Sequence, residues 1–117
     1  MLCEMPVYQK IVPLTDEVWE MVKLWNFFEK DTVGKQWVRA VDSIGANIAE
    51  GFGRFYFGEK IKFYYYARGS VLEVQFWIKR ACNRGLVDDE IAKRHLKVLQ
   101  EINKELNLLI KVCKKIK

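Results

Sequence analysis

The chain has 117 residues, half of them hydrophobic, and a formal net charge of +5 at pH 7. That length holds one core, burying somewhat under ~70% of the unfolded surface, and leaves no room for a second domain. Two prolines, seven glycines and no low-complexity run argue against a long disordered linker.

Met1 to Pro13 reads as an arm, because Pro6 and Pro13 interrupt a helix and Val7 to Val12 carries no helical stripe. Thr15 offers an N-cap, with Asp16 and Glu17 placed to favour the helix dipole. Val18, Met21, Val22, Trp25 and Phe28 then recur at threes and fours, predicting a first helix over about Asp16 to Lys30. Asp31 to Gly34 ends it, and Asp31 or Thr32 can cap a second helix running from about Gly34 to Arg54, with a kink or close helix contact expected at Gly45. Phe55 to Gly58 is short, so a third helix, about Glu59 to Arg84, must return antiparallel.

The third helix is apolar on more than one side, from Ile61 and Tyr64 through Leu72 and Phe76 to Cys82. One core face cannot use all of these, and the surplus most simply meets another subunit. Asn83-Arg84-Gly85-Leu86 predicts a Schellman ending. Asp88 starts a last helix, along which Leu99, Ile102, Leu106, Leu109, Cys113 and Ile116 form the seam of a left-handed bundle. The expected fold is an all-α, antiparallel up-down bundle of four helices.

Polar residues in the second helix are ordered too. Ser43, Asn47, Glu50 and Arg54 fall on one helical line beside the apolar line Ile44, Ile48 and Phe52. Half-buried amides and carboxylates need hydrogen-bond partners, and Ser70 and Glu73 on the third helix are candidates.

These residues carry a family pattern. Gln36, Arg39, Ala40, Ser43-Ile44, Asn47-Ile48-Ala49-Glu50-Gly51, Arg54, Lys60, Ala67, Gly69-Ser70 and Glu73 together resemble the bacterial four-helix-bundle proteins encoded within 23S rRNA intervening sequences. The resemblance covers roughly Gln36 to the C-terminus and rests on an ordered set of residues. It implies a four-helix bundle assembling as a homopentameric barrel. It also implies a distant relation to the accessory protein of diversity-generating retroelements, whose family role is to bind nucleic acid and a reverse transcriptase. Two departures stand out: family members carry proline where this chain has Gly45, and their loop between the first two helices is longer than Asp31 to Gly34.

Catalytic constellations find little support. The three cysteines, Cys3, Cys82 and Cys113, share no Cys-x-x-Cys spacing, so neither a disulfide framework nor a zinc site is signalled. His95 is the sole histidine, placed at the margin of the last helix's seam, and reads as a structural residue; a di-iron bundle would want a glutamate where Ala92 stands. The glycines near Gly51 and Gly53 lack the Gly-Lys-Ser/Thr ending of a phosphate loop. Glu50 and Glu73 could pair for acid-base work, but Arg54 four residues after Glu50 favours a structural ion pair. No enzyme activity, metal or cofactor is expected. No apolar run approaches the ~18 residues of a membrane span, and no signal-peptide pattern opens the chain, so a soluble cytoplasmic protein is expected.

The charge is uneven: residues 1 to 59 carry six Lys/Arg against nine Asp/Glu, or −3, and residues 60 to 117 fourteen against six, or +8. A basic half suits RNA or DNA, although helical proteins also carry basic faces with no such partner. Arg54, Lys60, Lys62 and Arg68 are interleaved with Phe55, Tyr56, Phe57 and Tyr64 to Tyr66, the mixture that single-stranded nucleic acids use. Aromatics so spaced more often serve a core or subunit contact. Lys111, Lys114, Lys115 and Lys117 form a second cluster at a helix C-terminus, where cations are favoured anyway. Two functions follow: an oligomer binding nucleic acid through its basic surface, or a scaffold that recruits an enzyme such as a reverse transcriptase, its charge serving only solubility.

Overall fold

The computed structural model describes residues 1–116. Four long helices pack side by side in a rod of 47 × 22 × 21 Å: α1 (Pro6–Val22), α2 (Lys35–Gly53), α3 (Phe57–Asn83) and α4 (Asp89–Ile116). The order of packing follows the chain: α2 lies along α3, α3 along α4, and α1 closes against α2 and α4. Among the described residues there is no strand, and no helix is long and apolar enough to cross a membrane.

The expected N-terminal arm is instead a 3-10 turn, Leu2–Glu4, followed by the first two turns of α1. Pro6 occupies the start of the helix, where its missing N–H costs nothing. Pro13 sits inside the helix, yet Val7, Ile11, Leu14, Val18 and Val22 form a buried stripe running straight across it. Burying five such side chains contributes about 1.5–3 kcal/mol each, against about 3 kcal/mol for an interior proline, so the stripe wins. Pro13 itself and Gln9, whose carbonyl loses its helical partner, are both exposed. Thr15 therefore caps nothing; its hydroxyl donates back to the Val12 carbonyl at 2.6 Å.

The first helix ends at Val22 rather than near Lys30, and the connection to α2 spans Lys23 to Gly34, longer than expected. Asn26, not Asp31 or Thr32, supplies the cap: its Oδ1 accepts from the Glu29 N–H at 3.0 Å at the head of the turn Phe27–Glu29. A π-helical turn, Lys30–Gly34, leads into α2, and the Thr32 hydroxyl donates to the Phe28 carbonyl. Phe28, expected on the first helix's apolar face, is exposed, and Trp25 packs at the edge of the core.

The inner face of α3 is Ile61, Tyr64, Ala67, Val71, Val74, Ile78 and Ala81, a regular spacing of threes and fours. The surplus apolar residues Leu72 and Phe76 point outward, 66% and 54% exposed. The Schellman ending is present: Leu86 N–H bonds the Ala81 carbonyl, Gly85 N–H bonds that of Cys82, and Gly85 takes φ +75°. Asp88 caps α4 through the Ile91 N–H at 2.9 Å. The seam of α4 continues from Leu106 to Ile110 and Cys113, while Leu109 lies at its edge and Ile116 is exposed. Both 109 and 110 are apolar, and the turn of the helix against α3 decides between them. His95 lies wholly inside the core rather than at its margin.

Close helix approach occurs at Gly51, not Gly45. A Cβ on Gly51 would stand 2.6 Å from the Tyr64 ring, whereas one on Gly45 would meet Ile11 at an ordinary 3.8 Å. Helix α2 runs unbroken through Gly45.

Candidate nucleic-acid interface

The polar line of α2 divides into two sets. Ser43 and Ser70 meet across the α2–α3 contact at 2.9 Å, and Asn47 Nδ2 donates to the Ser43 carbonyl and hydroxyl at 2.9 and 3.1 Å. All three are half-buried, so the hydrogen bonds offset their desolvation. One turn later Arg54 joins Glu50 at 3.0 Å and Glu59 at 3.4 Å, bracing the start of α3 against the end of α2. Glu73 takes no part: it lies exposed and accepts from Trp77 Nε1 at 3.1 Å.

Lys60 is likewise committed to the fold. Its ammonium donates to the Gly51 and Phe52 carbonyls at 3.2 and 2.8 Å, satisfying acceptors that the end of α2 leaves open. Phe52, expected in the buried line, is partly exposed beneath this ammonium, 5.8 Å from ring centre to Nζ. Arg54 and Lys60 therefore brace a helix junction, Arg54 paired with two glutamates and Lys60 held on backbone carbonyls.

Arg68 belongs to a different assembly. It faces α4, where its Nη1 donates to Asn107 Oδ1 at 2.9 Å and its guanidinium lies 4.7 Å from the centre of the Tyr65 ring. Lys114 reaches the same ring from α4, 5.4 Å from its centre. With Lys111 and Lys115 these residues line an open groove of about 400 Å³ between α3 and α4. Two clusters that are 43 positions apart in sequence, counted from Arg68 to Lys111, thus form one surface. No carboxylate lines the groove, and none pairs with its four cations among the described residues. The ammonium of Lys114 beside the phenol, with the charge of Arg68 nearby, draws the Tyr65 pKa below its ordinary value. Lys62 is exposed beside Tyr66, 5.9 Å from its ring centre, and lines no part of the groove. Lys117 lies outside the described residues.

Asn107 and Ile110 are the groove residues that sequence reasoning passed over, whereas Tyr65 stood among the interleaved aromatics. Asn107, Lys111 and Lys115 recur every four residues, and Ile61, Tyr65 and Arg68 at four and three, so each set occupies one helical line.

The core holds a second cluster. His95 is fully buried beside Trp37, with ring centres 6.0 Å apart. Its Nε2 stands 3.3 Å from Glu17 Oε1 without hydrogen-bond alignment. Burial pushes its pKa down, against the pull of Glu17. Glu17 is itself gripped by both guanidinium arms of Arg94, which together with His95 lower its pKa to about 2. This arrangement ties α1 to α4. Among the described residues no group of three or more His, Cys, Asp or Glu side chains could hold a metal ion.

The family profile of the 23S rRNA-intervening sequence proteins matches residues 3–108. The chain belongs to the 23S rRNA-intervening sequence protein family. Its match begins within the turn that precedes α1 and ends within α4, so the family pattern spans all four helices and reaches further toward the N-terminus than the motif residues alone. A crystal structure of a protein of unknown function from the S23 ribosomal protein family of Bacteroides thetaiotaomicron superposes with a TM-score of 0.82. The two are 25% identical, over 90% of this chain and 98% of that one. No curated protein matches the sequence. For this member of the intervening-sequence family, the polar set Ser43, Asn47 and Ser70, the Glu50–Arg54 pair and the Lys60 contacts to the end of α2 account for much of the family pattern as folding devices.

Proposed function

We propose that this intervening-sequence family protein is a non-catalytic nucleic-acid-binding subunit that works as a homo-oligomer, a pentamer by family resemblance. The observation that carries the reading is the α3–α4 groove, where Arg68, Lys111, Lys114 and Lys115 gather with no carboxylate among them. Like charges held close cost free energy in the isolated chain, and a polyanion that neutralises them gains both attraction and released counterions. Repetition of the groove in a ring would multiply that field.

Support for self-association comes from exposed apolar surface. Leu72 and Phe76 stand out from α3. At the far end of α1, a groove of about 530 Å³ with Trp19 and Phe27 on its walls runs between α1 and the start of α2. Surfaces of this kind mark contacts between proteins, and closed cyclic symmetry would hide them.

The test separates the groove from the helix junction. Arg68→Glu with Lys111→Glu and Lys115→Glu should abolish binding to mixed RNA and DNA at low salt while helix content and subunit number hold. Lys60→Met should instead lower stability and leave most of the binding. Equal loss from both variants, or intact binding by the triple variant, would contradict the assignment to the groove, and a wild-type chain that binds neither RNA nor DNA would favour recruitment of a protein partner.

A further inference from the structure

Building on the nucleic-acid reading, we propose that the groove reads the phosphodiester backbone and leaves the bases untouched, with Tyr65 serving as a shelf that positions its cations. Base stacking needs an open aromatic face. Tyr65 is half-buried, and two cations crowd the ring surface it keeps, Arg68 at 4.7 Å and Lys114 at 5.4 Å from its centre. The same holds for neighbouring rings, with Arg54 over Phe63 at 4.7 Å and Lys62 over Tyr66 at 5.9 Å. Cations and aromatics that alternate in the sequence are thus spent on each other, and an entering base would have to displace a cation from the ring quadrupole that attracts it.

What the pairing leaves free is charge and donors. Asn107 is a neutral acceptor and takes one N–H of Arg68, so the guanidinium keeps its full charge and further donors in a fixed orientation. Such a fork fits phosphate oxygens in pairs. Lys114, 5.4 Å from the Tyr65 ring centre, and Lys111 and Lys115 on the same helix supply point charges across the groove from Arg68. Of the interleaved rings with no cation over them, Tyr64 is buried and Phe57 half-buried, while Phe55 and Tyr56 are exposed at the α2–α3 turn and packed edge to face with centres 5.0 Å apart. They belong to the turn and line no part of the groove.

The experiment compares a labelled oligodeoxynucleotide with its fully abasic analogue of equal phosphate number, each titrated with the full chain at low salt by fluorescence anisotropy. The proposal expects the two affinities to agree within a few-fold. Lys111→Glu with Lys115→Glu should weaken both alike and lower the salt slope by about 1.5, two phosphates at 0.7–0.9 each. Tyr65→Leu should weaken both strands by the same factor, and Tyr65→Phe, which keeps the shelf, should not. A base-bearing strand that binds about tenfold or more tighter than the abasic one, the effect of a single stacked base, would overturn the inference while leaving nucleic-acid binding intact. So would a loss on Phe55→Ala with Tyr56→Ala confined to the base-bearing strand. If neither strand bound, the nucleic-acid reading would fall and this one with it.

Discussion

Two glycines of the family pattern should respond to alanine with opposite signs. In a helix interior, Gly→Ala stabilises by about 1 kcal/mol through propensity alone. At Gly69, midway along α3, a Cβ would meet nothing within 4 Å, so Gly69→Ala should gain close to that full amount. At Gly51 the new Cβ would stand 2.6, 2.9 and 3.2 Å from Cε1, Cδ1 and Cζ of Tyr64. The ring is 3% exposed and packed in the core, so it cannot swing into solvent, and α2 and α3 must separate locally. Overpacking of this kind costs about 1–3 kcal/mol. Gly51 also lies in the last turn of α2, where the propensity gain is smaller. Gly51→Ala should therefore destabilise by about 1–2 kcal/mol, a swing of about 2–3 kcal/mol between the two variants. Urea denaturation at one fixed protein concentration, followed by circular dichroism, reads both. Equal stabilisation by both would show that the Tyr64 ring yields freely and that Gly51 does not set the α2–α3 spacing.

The remaining predictions concern acid, the serine pair and assembly. His95 has a folded pKa below its ordinary 6.5 and Glu17 one of about 2 against an ordinary 4.5, so in both windows the unfolded chain binds more protons and stability falls as pH drops. Thermal melts should lose stability first below about pH 6.5 and again below about pH 4.5, and His95→Leu should flatten the first stage and leave most of the second, which Arg94 chiefly sets. Ser70→Ala should cost about 1 kcal/mol, and the Ser43→Ala, Ser70→Ala pair less than the sum of the singles, because each serine loses the same partner; additive losses by urea denaturation would exclude a shared bond. Leu72→Glu with Phe76→Glu should lower the mass seen by light scattering without loss of helix content, and a wild-type chain that stays monomeric at micromolar concentration would refute assembly through α3.

The four-helix order was legible because turn signals and stripes agreed: Gly85 with Leu86 ended α3, Asp88 opened α4, and the short run after Arg54 forced α3 to reverse. The first helix was misread because Pro13 was weighed as a local breaker while the stripe Val7, Ile11, Leu14, Val18 and Val22 spanned it; five buried side chains outweigh one proline. For the site, helical spacing placed Ser43 and Asn47 together and paired Glu50 with Arg54, since those neighbours lie on one helix. Spacing could not show that Lys60 would turn back to cap α2, or that Arg68 would face Lys111 across two helices. Those depend on the rotation of α3 against its neighbours, which the close packing of Gly51 on Tyr64 helps to fix. Glu73, expected in the network as a partner on the third helix and a member of the family pattern, lies instead exposed on α3, bonded to Trp77.

The most direct test of the central claim is the salt dependence of RNA and DNA binding by the wild-type chain. Four groove cations that each neutralise a phosphate predict a fall in log affinity with log salt of about 3 per engaged groove, four times 0.7–0.9, with little sequence preference. A folded, assembled protein that binds neither RNA nor DNA at low salt, or binds with a slope near zero, would contradict it.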